Sequence, residues 1–368
     1  MEITDASSDA ESALEGQAEI WQIIVGYVES MAVKSVVELR IPDIIHSHNS
    51  PITLSQIAAE IESTGNQVDL TCLVRIMRLL VRKKIFTAQT PSDGGEMLYG
   101  LTNSSRLLLH GSPTSFAPLL LFQNHPWMVA PWHLLSRCVK EGGSAFEKAH
   151  GGMIWDLAST NPEFNEVIND AMACVSKSLM KAMIGGYKDG FGEVGSLVDV
   201  GGGSGWAVAR VAKTFPHIKC FNFDLPHVIA AAPAHEGVIH LCGDMFDVIP
   251  KAHAIFMKSV MHDWSDHDCV KILKNCREAI PEDIGKVIIV DIVLRPDGDG
   301  LFDDTNLALD LAMRVQTSGG KERTEEEWKK VLEEGGFPRY NIIQIPTLQS
   351  IIEAFPNRCS CSHISLEG

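Results

Sequence analysis

A histidine where a strand runs out, beside an acidic residue, can act as a general base near neutral pH, because its ordinary pKa already lies close to that range. His262 stands in such a place, in Lys258-Ser-Val-Met-His262-Asp263-Trp264, running off the strand expected over 254–260. Three more strand ends carry residues of suggestive type. Residues 197–205 read Leu-Val-Asp-Val-Gly-Gly-Gly-Ser-Gly. There Gly201, Gly202, Gly203 and Gly205 permit a tight turn and a close backbone approach to a ligand. Asp224 ends the run 219–223, about 20 positions after the glycines, where an acid can take both hydroxyls of a ribose. Asp244 and Met245 follow the run 238–241, offering an acceptor for an exocyclic amine and a soft surface for a purine face. Taken singly, each has a plainer reading: a glycine loop that binds nothing, a helix-capping aspartate, a hydrogen-bonded structural histidine. Their placement at successive strand ends favours a shared site, since ligands of open α/β sheets bind just beyond the carboxyl ends of the strands. Ser265 with Asp266 and Asp268 reads as the cap and acidic first turn of the next helix.

The elements that must position these residues are legible from periodicity. Strands are expected at 197–200, 219–223, 238–241, 254–260, 286–294, 339–345 and 349–354, with helices between most of them, 206–215 being the first. That alternation predicts a doubly wound, mostly parallel sheet. Ahead of it, residues 114–190 form a helical region rich in large apolar side chains, able to serve both as core and as the lining of an aromatic pocket. Residues 17–113 predict a small helical module. Thr53 caps a helix over 54–61, residues 68–84 form a strongly apolar helix with Arg75, Arg78 and Arg82 outward, and 85–88 with 97–101 make a two-stranded wing. Residues 1–16 and 358–368 read as disordered, and 191–357 as the catalytic domain.

A dinucleotide site carries G-x-G-x-x-G, whereas here the pattern is Asp199-x-Gly201-x-Gly203-x-Gly205. With acids at 224 and 244, this spacing points to S-adenosylmethionine. The motifs LVDVGGGSG, FNFDLPHVI, GDMF, MKSVMHDWSD, ILKNC and GGKERTEEEW together resemble the plant small-molecule O-methyltransferases of the caffeate and flavonoid type. The resemblance runs from Gln17 to Pro356. GQAEIW, ESMAVKSVVEL, LRPDGDGLFD and GGFPRYNII further resemble the branch acting on benzylisoquinoline alkaloids, the reticuline 7-O-methyltransferase type especially, whose relatives also methylate lignans.

The resemblance implies a Rossmann-like methyltransferase domain behind a winged-helix-like dimerisation domain. It implies that Ser176, Gly201, Asp224, Leu225, Asp244, Met245, Lys258 and Trp264 hold the cofactor. His262 would be the base and Glu322 its orienting partner. Asp291 occupies a third polar position that is often glutamate in the caffeate enzymes. Gln123, Ile168, Val175, Met172, Ala312, Met313 and Gln316 would line the phenol pocket. The expected reaction is transfer of a methyl group to a phenolic hydroxyl on a two-ring plant metabolite, a lignan such as a dibenzylbutyrolactone or a benzylisoquinoline alkaloid. A flavonoid or simple phenylpropanoid is the nearer alternative. An NAD-dependent oxidoreductase and a non-catalytic dimeric binding protein are the alternatives of other classes. No metal is expected, because no convergent carboxylate cluster faces the acceptor oxygens.

The whole chain narrows the partners. Its 368 residues suggest two domains, and 45% hydrophobic with 21% charged residues is an ordinary globular balance. A net charge of −16 argues against nucleic acid or an anionic membrane as partner. The winged module is then expected to dimerise rather than bind DNA. The start lacks the basic and apolar pattern of a signal peptide, and no uninterrupted apolar run reaches membrane-spanning length. Nine scattered cysteines fit a reducing, cytoplasmic compartment. Cys359, Cys361 and His363 form a C-x-C-x-H near the end, which reads as part of a tail rather than a metal site, lacking a fourth ligand.

Overall fold

The computed structural model of the chain describes residues 3–65, 67–92 and 94–356. The Cys359, Cys361 and His363 cluster and the expected tail at 358–368 lie outside the described residues. The chain divides into two compact units, Met1–His125 and Pro126–Gly368.

The first unit opens with α1 (Ile3–Ile24), α2 (Gly26–Glu38) and α3 (Ile41–Ser47). Helix from Ile3 onward replaces the disorder expected over 1–16. The stretch holds no proline, and its first glycine is Gly16, so nothing local interrupts a helix. Along the end of α1 and the start of α2, Trp21, Ile23, Ile24 and Tyr27 are exposed. Among the described residues, Ala10–Glu38 is long and apolar enough to cross a membrane by length and composition alone. Next come β1 (Ile52–Thr53), α4 (Leu54–Glu62), α5 (Leu70–Arg82), β2 (Phe86–Gln89), β3 (Leu98–Leu101), α6 (Asn103–Arg106) and α7 (Ala117–Gln123). The expected two-stranded wing is a three-stranded sheet in the order β1-β3-β2, because Ile52 and Thr53 pair with Tyr99 and Leu98. The core joins Val36, Ile41, Ile57, Leu73, Met77, Leu80 and Phe86, while Arg75, Arg78 and Arg82 stay outward. The unit ends at His125, beyond the expected boundary at 113. The cause is local: Ala117 packs with Val37, and Asn124 accepts from Ser30 Oγ at 2.9 Å and Lys34 Nζ at 3.2 Å.

Helix α4 starts with a reciprocal cap. Gln56 N–H donates to Thr53 Oγ1, and Thr53 N–H donates to Gln56 Oε1 at 2.9 Å. Thr53→Ala removes one of these bonds and is expected to cost about 1 kcal/mol, read as a lower urea midpoint at unchanged slope.

The second unit begins with α8 (Pro126–Val129), α9 (Leu135–Glu141), α10 (Ala145–His150), α11 (Ile154–Thr160) and the long α12 (Pro162–Gly186). Then strands and helices alternate: β4 (Ser196–Val200), α13 (Trp206–Thr214), β5 (Lys219–Asp224), α14 (Pro226–Ala231), β6 (Val238–Cys242), β7 (Ala254–Lys258), α15 (Asp266–Ala279), β8 (Lys286–Asp291), β9 (Val293–Leu294), α16 (Asp303–Gln316), β10 (Arg323–Thr324), α17 (Glu325–Glu334), β11 (Arg339–Gln344) and β12 (Ser350–Phe355). Seven strands make one sheet in the order β11-β12-β8-β7-β4-β5-β6, parallel except for the β12 pairings with β8 and β11.

Period-two alternation sorts the strand side chains onto two buried faces. Val198, Val200, Ile255, Met257, Val287 and Ile289 pack with α15 and α17 residues such as Ile272, Leu273, Trp328 and Leu332. Leu197, Ala254, Phe256, Ile288 and Val290 pack with Leu179, Met183, Val208 and Val211 of α12 and α13. All seven expected strands are present, with two corrections. The run 254–260 stops at Lys258, since Ser259 adopts a left-handed φ of 53°. The run 286–294 breaks after Asp291, and its remainder, β9, leaves the main sheet to pair in parallel with β10, Val293 opposite Arg323. That departure brings the segment carrying Glu322 beside the end of β8.

Candidate active site

His262 sits in a one-turn 3-10 helix, Met261–Asp263, just past the end of β7. Its side chain is mostly buried and its Nδ1 lies 2.8 Å from Glu322 Oε1. An ionised carboxylate only accepts, so the ring donates Nδ1–H to Glu322, and Nε2 is the nitrogen that gains or loses the second proton. Asp263 Oδ1 lies 3.8 Å from Nε2 and Asp291 Oδ1 lies 4.0 Å from Nδ1, both beyond hydrogen-bond reach. Burial of His262 opposes its positive charge, but Glu322, Asp291 and Asp263 outweigh that and push the imidazole up to about 10.

The two carboxylates expected beside His262 therefore differ. Glu322 orients the ring. Asp291 is buried, and neither of its carboxyl oxygens has a hydrogen-bond partner. Burial, together with the negative Glu322 and Asp263, pushes Asp291 up to about 7 against the pull of His262 and Arg323. With one carbon fewer than glutamate, it stops short of the imidazole.

Glu322 is delivered by the β9–β10 pairing and fixed from α16, where Asp310 Oδ1 accepts its backbone N–H at 2.9 Å. Glu322→Gln keeps the shape and removes the charge. It is expected to lower kcat roughly tenfold or more, within the span general-base arrangements contribute. Because the anion raises the imidazole, its removal lowers that pKa, so the rise of kcat with pH should move to lower pH. A pH–rate profile of the variant checks both the size and the direction.

The glycine turn follows β4, the strand paired with β7. Gly201, Gly203 and Gly205 adopt left-handed φ of 68°, 58° and 76°. A Cβ on Gly202 would lie 2.1 Å from Asn222 Oδ1, so that position has no room for a side chain. Asp224, at the end of β5, accepts the Gly203 N–H at Oδ2 (2.8 Å) and the Leu225 N–H at Oδ1 (2.7 Å). Each oxygen keeps a second lone pair for an incoming hydroxyl. Leu225 is exposed beside it. Asp244 Oδ1 holds the Phe246 N–H at 2.8 Å, and the Met245 carbonyl accepts from Asn275 Nδ2 at 2.8 Å. The Trp264 ring meets Phe246 edge-on at 4.7 Å. Lys258 ends β7; burial lowers its proton affinity despite Asp199, Asp291 and Asp263. Asp199 Oδ2 is buried with no partner, and burial pushes that carboxyl up to about 7. Crowded glycines, two strand-end carboxylates with free lone pairs and an orphaned buried acceptor fit a nucleoside carrying a positive charge.

Other expected residues are less tied to this edge. Ser176 is buried on α12, and its hydroxyl donates to the Met172 carbonyl at 2.8 Å, leaving only acceptor capacity. Ile168, Met172 and Ser176 follow at four-residue spacing on α12, with Val175 beside them; Ile168 is buried and Met172 exposed. Ala312, Met313 and Gln316 lie on the last turns of α16, with Ala312 and Gln316 buried. Gln123 ends α7 and belongs to the first unit. Among the described residues, no group of three or more His, Cys, Asp or Glu side chains is placed to hold a metal ion. Sequence reasoning missed Asp310 and Arg323, which hold the Glu322 and His262 segments; the only signal was that Arg323 adjoins Glu322 in GGKERT.

Comparison with known proteins bears on this arrangement. An O-methyltransferase domain model matches residues 132–338, and an O-methyltransferase dimerisation domain model matches 21–111. Xanthohumol 4-O-methyltransferase of Humulus lupulus is 53% identical, over 95% of this chain and 98% of its own. (R,S)-Reticuline 7-O-methyltransferase of Papaver somniferum is 50% identical, over 94% of this chain and 99% of its own. The structure of a mitomycin 7-O-methyltransferase is 27% identical with a TM-score of 0.76, covering 95% of this chain and 100% of that one. Human N-acetylserotonin methyltransferase in complex with S-adenosylmethionine, at 20% identity and a TM-score of 0.80, covers 93% of this chain and 98% of its own and shares the fold. The chain is an enzyme of the O-methyltransferase family, with an S-adenosylmethionine-dependent Rossmann-like domain behind an O-methyltransferase dimerisation domain.

Proposed function

We propose that this enzyme methylates a phenolic hydroxyl on a two-ring plant metabolite, with His262 as the general base. The observation that carries the reading is the 2.8 Å contact between His262 Nδ1 and Glu322 Oε1, which fixes the ring and leaves Nε2 basic at the sheet edge that also bears the glycine turn. When bound, S-adenosylmethionine supplies an activated methyl on a cationic sulfur, a charge that opposes a second cation at His262. Gly201, Asp224, Leu225, Asp244, Met245, Lys258 and Trp264 are the residues that would hold it, with Ser176 contributing as an acceptor.

A phenol releases its proton near pH 10, so at neutral pH it is a poor nucleophile. Glu322, Asp291 and Asp263 raise the proton affinity of the imidazole, which makes Nε2 a better acceptor for that proton than water. Glu322 then stabilises the imidazolium that forms. The site must lose one proton before a neutral phenol can be deprotonated there, so turnover should rise with pH through the neutral range. Holding the phenol oxygen in line is worth up to roughly 7–11 kcal/mol in well-oriented reactions.

On the acceptor side, Ile168, Met172, Ala312 and Met313 are apolar, which favours a neutral phenol such as a lignan or flavonoid over an amine. The half-identical reticuline enzyme favours an alkaloid as the second reading. Incubation with methyl-labelled S-adenosylmethionine and a panel of lignans, flavonoids and alkaloids, with products located by mass spectrometry, decides between them. Label on a lignan or flavonoid phenol supports the first reading; label on alkaloids alone supports the second. Work as a homodimer is part of the proposal, since the exposed Trp21, Ile23, Ile24 and Tyr27 give the dimerisation module an apolar face for a second copy.

A further inference from the structure

The segment 321–323 does more than deliver Glu322. Arg323 is fully buried. Its Nη1 donates to the Met261 carbonyl at 3.1 Å, its Nη2 to the Trp264 carbonyl at 2.9 Å, and its Nε to Asp266 Oδ1 at 2.9 Å. It also reaches Cys269 Sγ and the Lys321 carbonyl, and stacks on Trp328 with its guanidinium 5.3 Å from the ring. The Met261 and Trp264 carbonyls that it holds bracket His262. From the same segment, Lys321 N–H donates to the carbonyl of His262 itself at 2.9 Å. The turn's own bonds are modest: Asp263 N–H to the Val260 carbonyl at 3.2 Å and Trp264 N–H to the Met261 carbonyl at 3.3 Å. Residues 321–323 thus receive three carbonyls of the His262 turn while presenting the carboxylate that binds its ring.

We propose that Arg323 is a positioning residue for the reaction: its guanidinium locks the backbone on both sides of His262, so that the Nδ1–Glu322 contact and the direction of Nε2 are set together. The inference rests on the reading of His262 as base. Arginine suits the task because its planar fork spans separate acceptors at once, whereas a lysine ammonium is a single flexible point charge. Asp266 and the Trp328 face compensate the buried cation, so the group is sustained where an unpaired charge would not be.

The test compares wild type with Arg323→Lys and Glu322→Gln, each as the full chain, with kinetics read with S-adenosylmethionine and the imidazole resonance read with S-adenosylhomocysteine bound. For Arg323→Lys the expected result is a folded protein whose kcat falls roughly 10- to 100-fold, the scale of a slight misplacement of a reacting group, with KM for the phenol little changed. The His262 Nδ1 proton resonance should be shifted or broadened relative to wild type, and lost in Glu322→Gln. A merely structural arginine would instead lower the unfolding temperature and leave that resonance in place. Wild-type kcat in Arg323→Lys, or a loss of kcat with the resonance unmoved, overturns the proposal. If wild type methylates no phenol, the reading of His262 fails, but the resonance still decides whether Arg323 sets the ring.

Discussion

Replacing His262 with alanine should lower kcat for phenol methylation by about 10²–10⁴-fold, the range that positioned general bases contribute. The fold should survive, because the His262 side chain lies at the edge of the sheet and the turn's backbone is held by Lys321 and Arg323 rather than by the ring. Affinity for S-adenosylhomocysteine, measured by calorimetry, should stay near wild type, since Gly203 is bonded to Asp224 while the imidazole is bonded to Glu322. The pH dependence should change as well. With the imidazole absent, the remaining rise with pH should follow ionisation of the phenol itself.

The second large effect is expected at Gly202. A valine there places Cβ 2.1 Å from Asn222 Oδ1 and 2.8 Å from Asp199. Neither neighbour can retreat. Asn222 is buried and donates from Nδ2 to the Gly203 carbonyl at 2.9 Å, and Asp199 is buried on β4. The strain must pass into the turn, moving the Gly203 N–H off Asp224. Overpacking of this kind costs about 1–3 kcal/mol, which in binding is roughly a 5- to 150-fold loss. Gly202→Val should therefore weaken S-adenosylhomocysteine binding by that factor and lower the unfolding temperature. Unchanged affinity would show that the turn is not part of the cofactor site.

Much of this fold was legible because burial on two faces leaves a simple trace. Stretches such as 254–257 and 287–290 are continuous apolar runs, and a sheet covered on both sides needs them. The caps were equally local: Thr53 before α4, and Ser265 before α15. What escaped was set by long-range pairing. β1 is two residues long and exists because Tyr99 and Leu98 lie opposite. The break after Asp291 leaves no periodic mark, yet it releases β9 to meet β10 and so carries Glu322 to a histidine sixty residues earlier. The resemblance had already set Glu322 as the orienting partner and Asp291 as a third polar position; the structure adds that Glu322 bonds the ring at 2.8 Å while Asp291 stops at 4.0 Å. Arg323 and Asp310 were invisible as functional residues, since their roles consist of backbone atoms they hold in other segments.

The claim that matters most is that His262 removes the phenol proton. It is tested most directly by comparing methyl-transfer rates of wild type and His262→Ala across one series of acceptor phenols of graded acidity, at a single neutral pH. A base is needed most by phenols that hold their proton tightly and least by those already ionised. The account predicts that the deficit of the variant is largest for the least acidic phenol and shrinks steadily toward the most acidic one. A deficit of equal size across the whole series would contradict it.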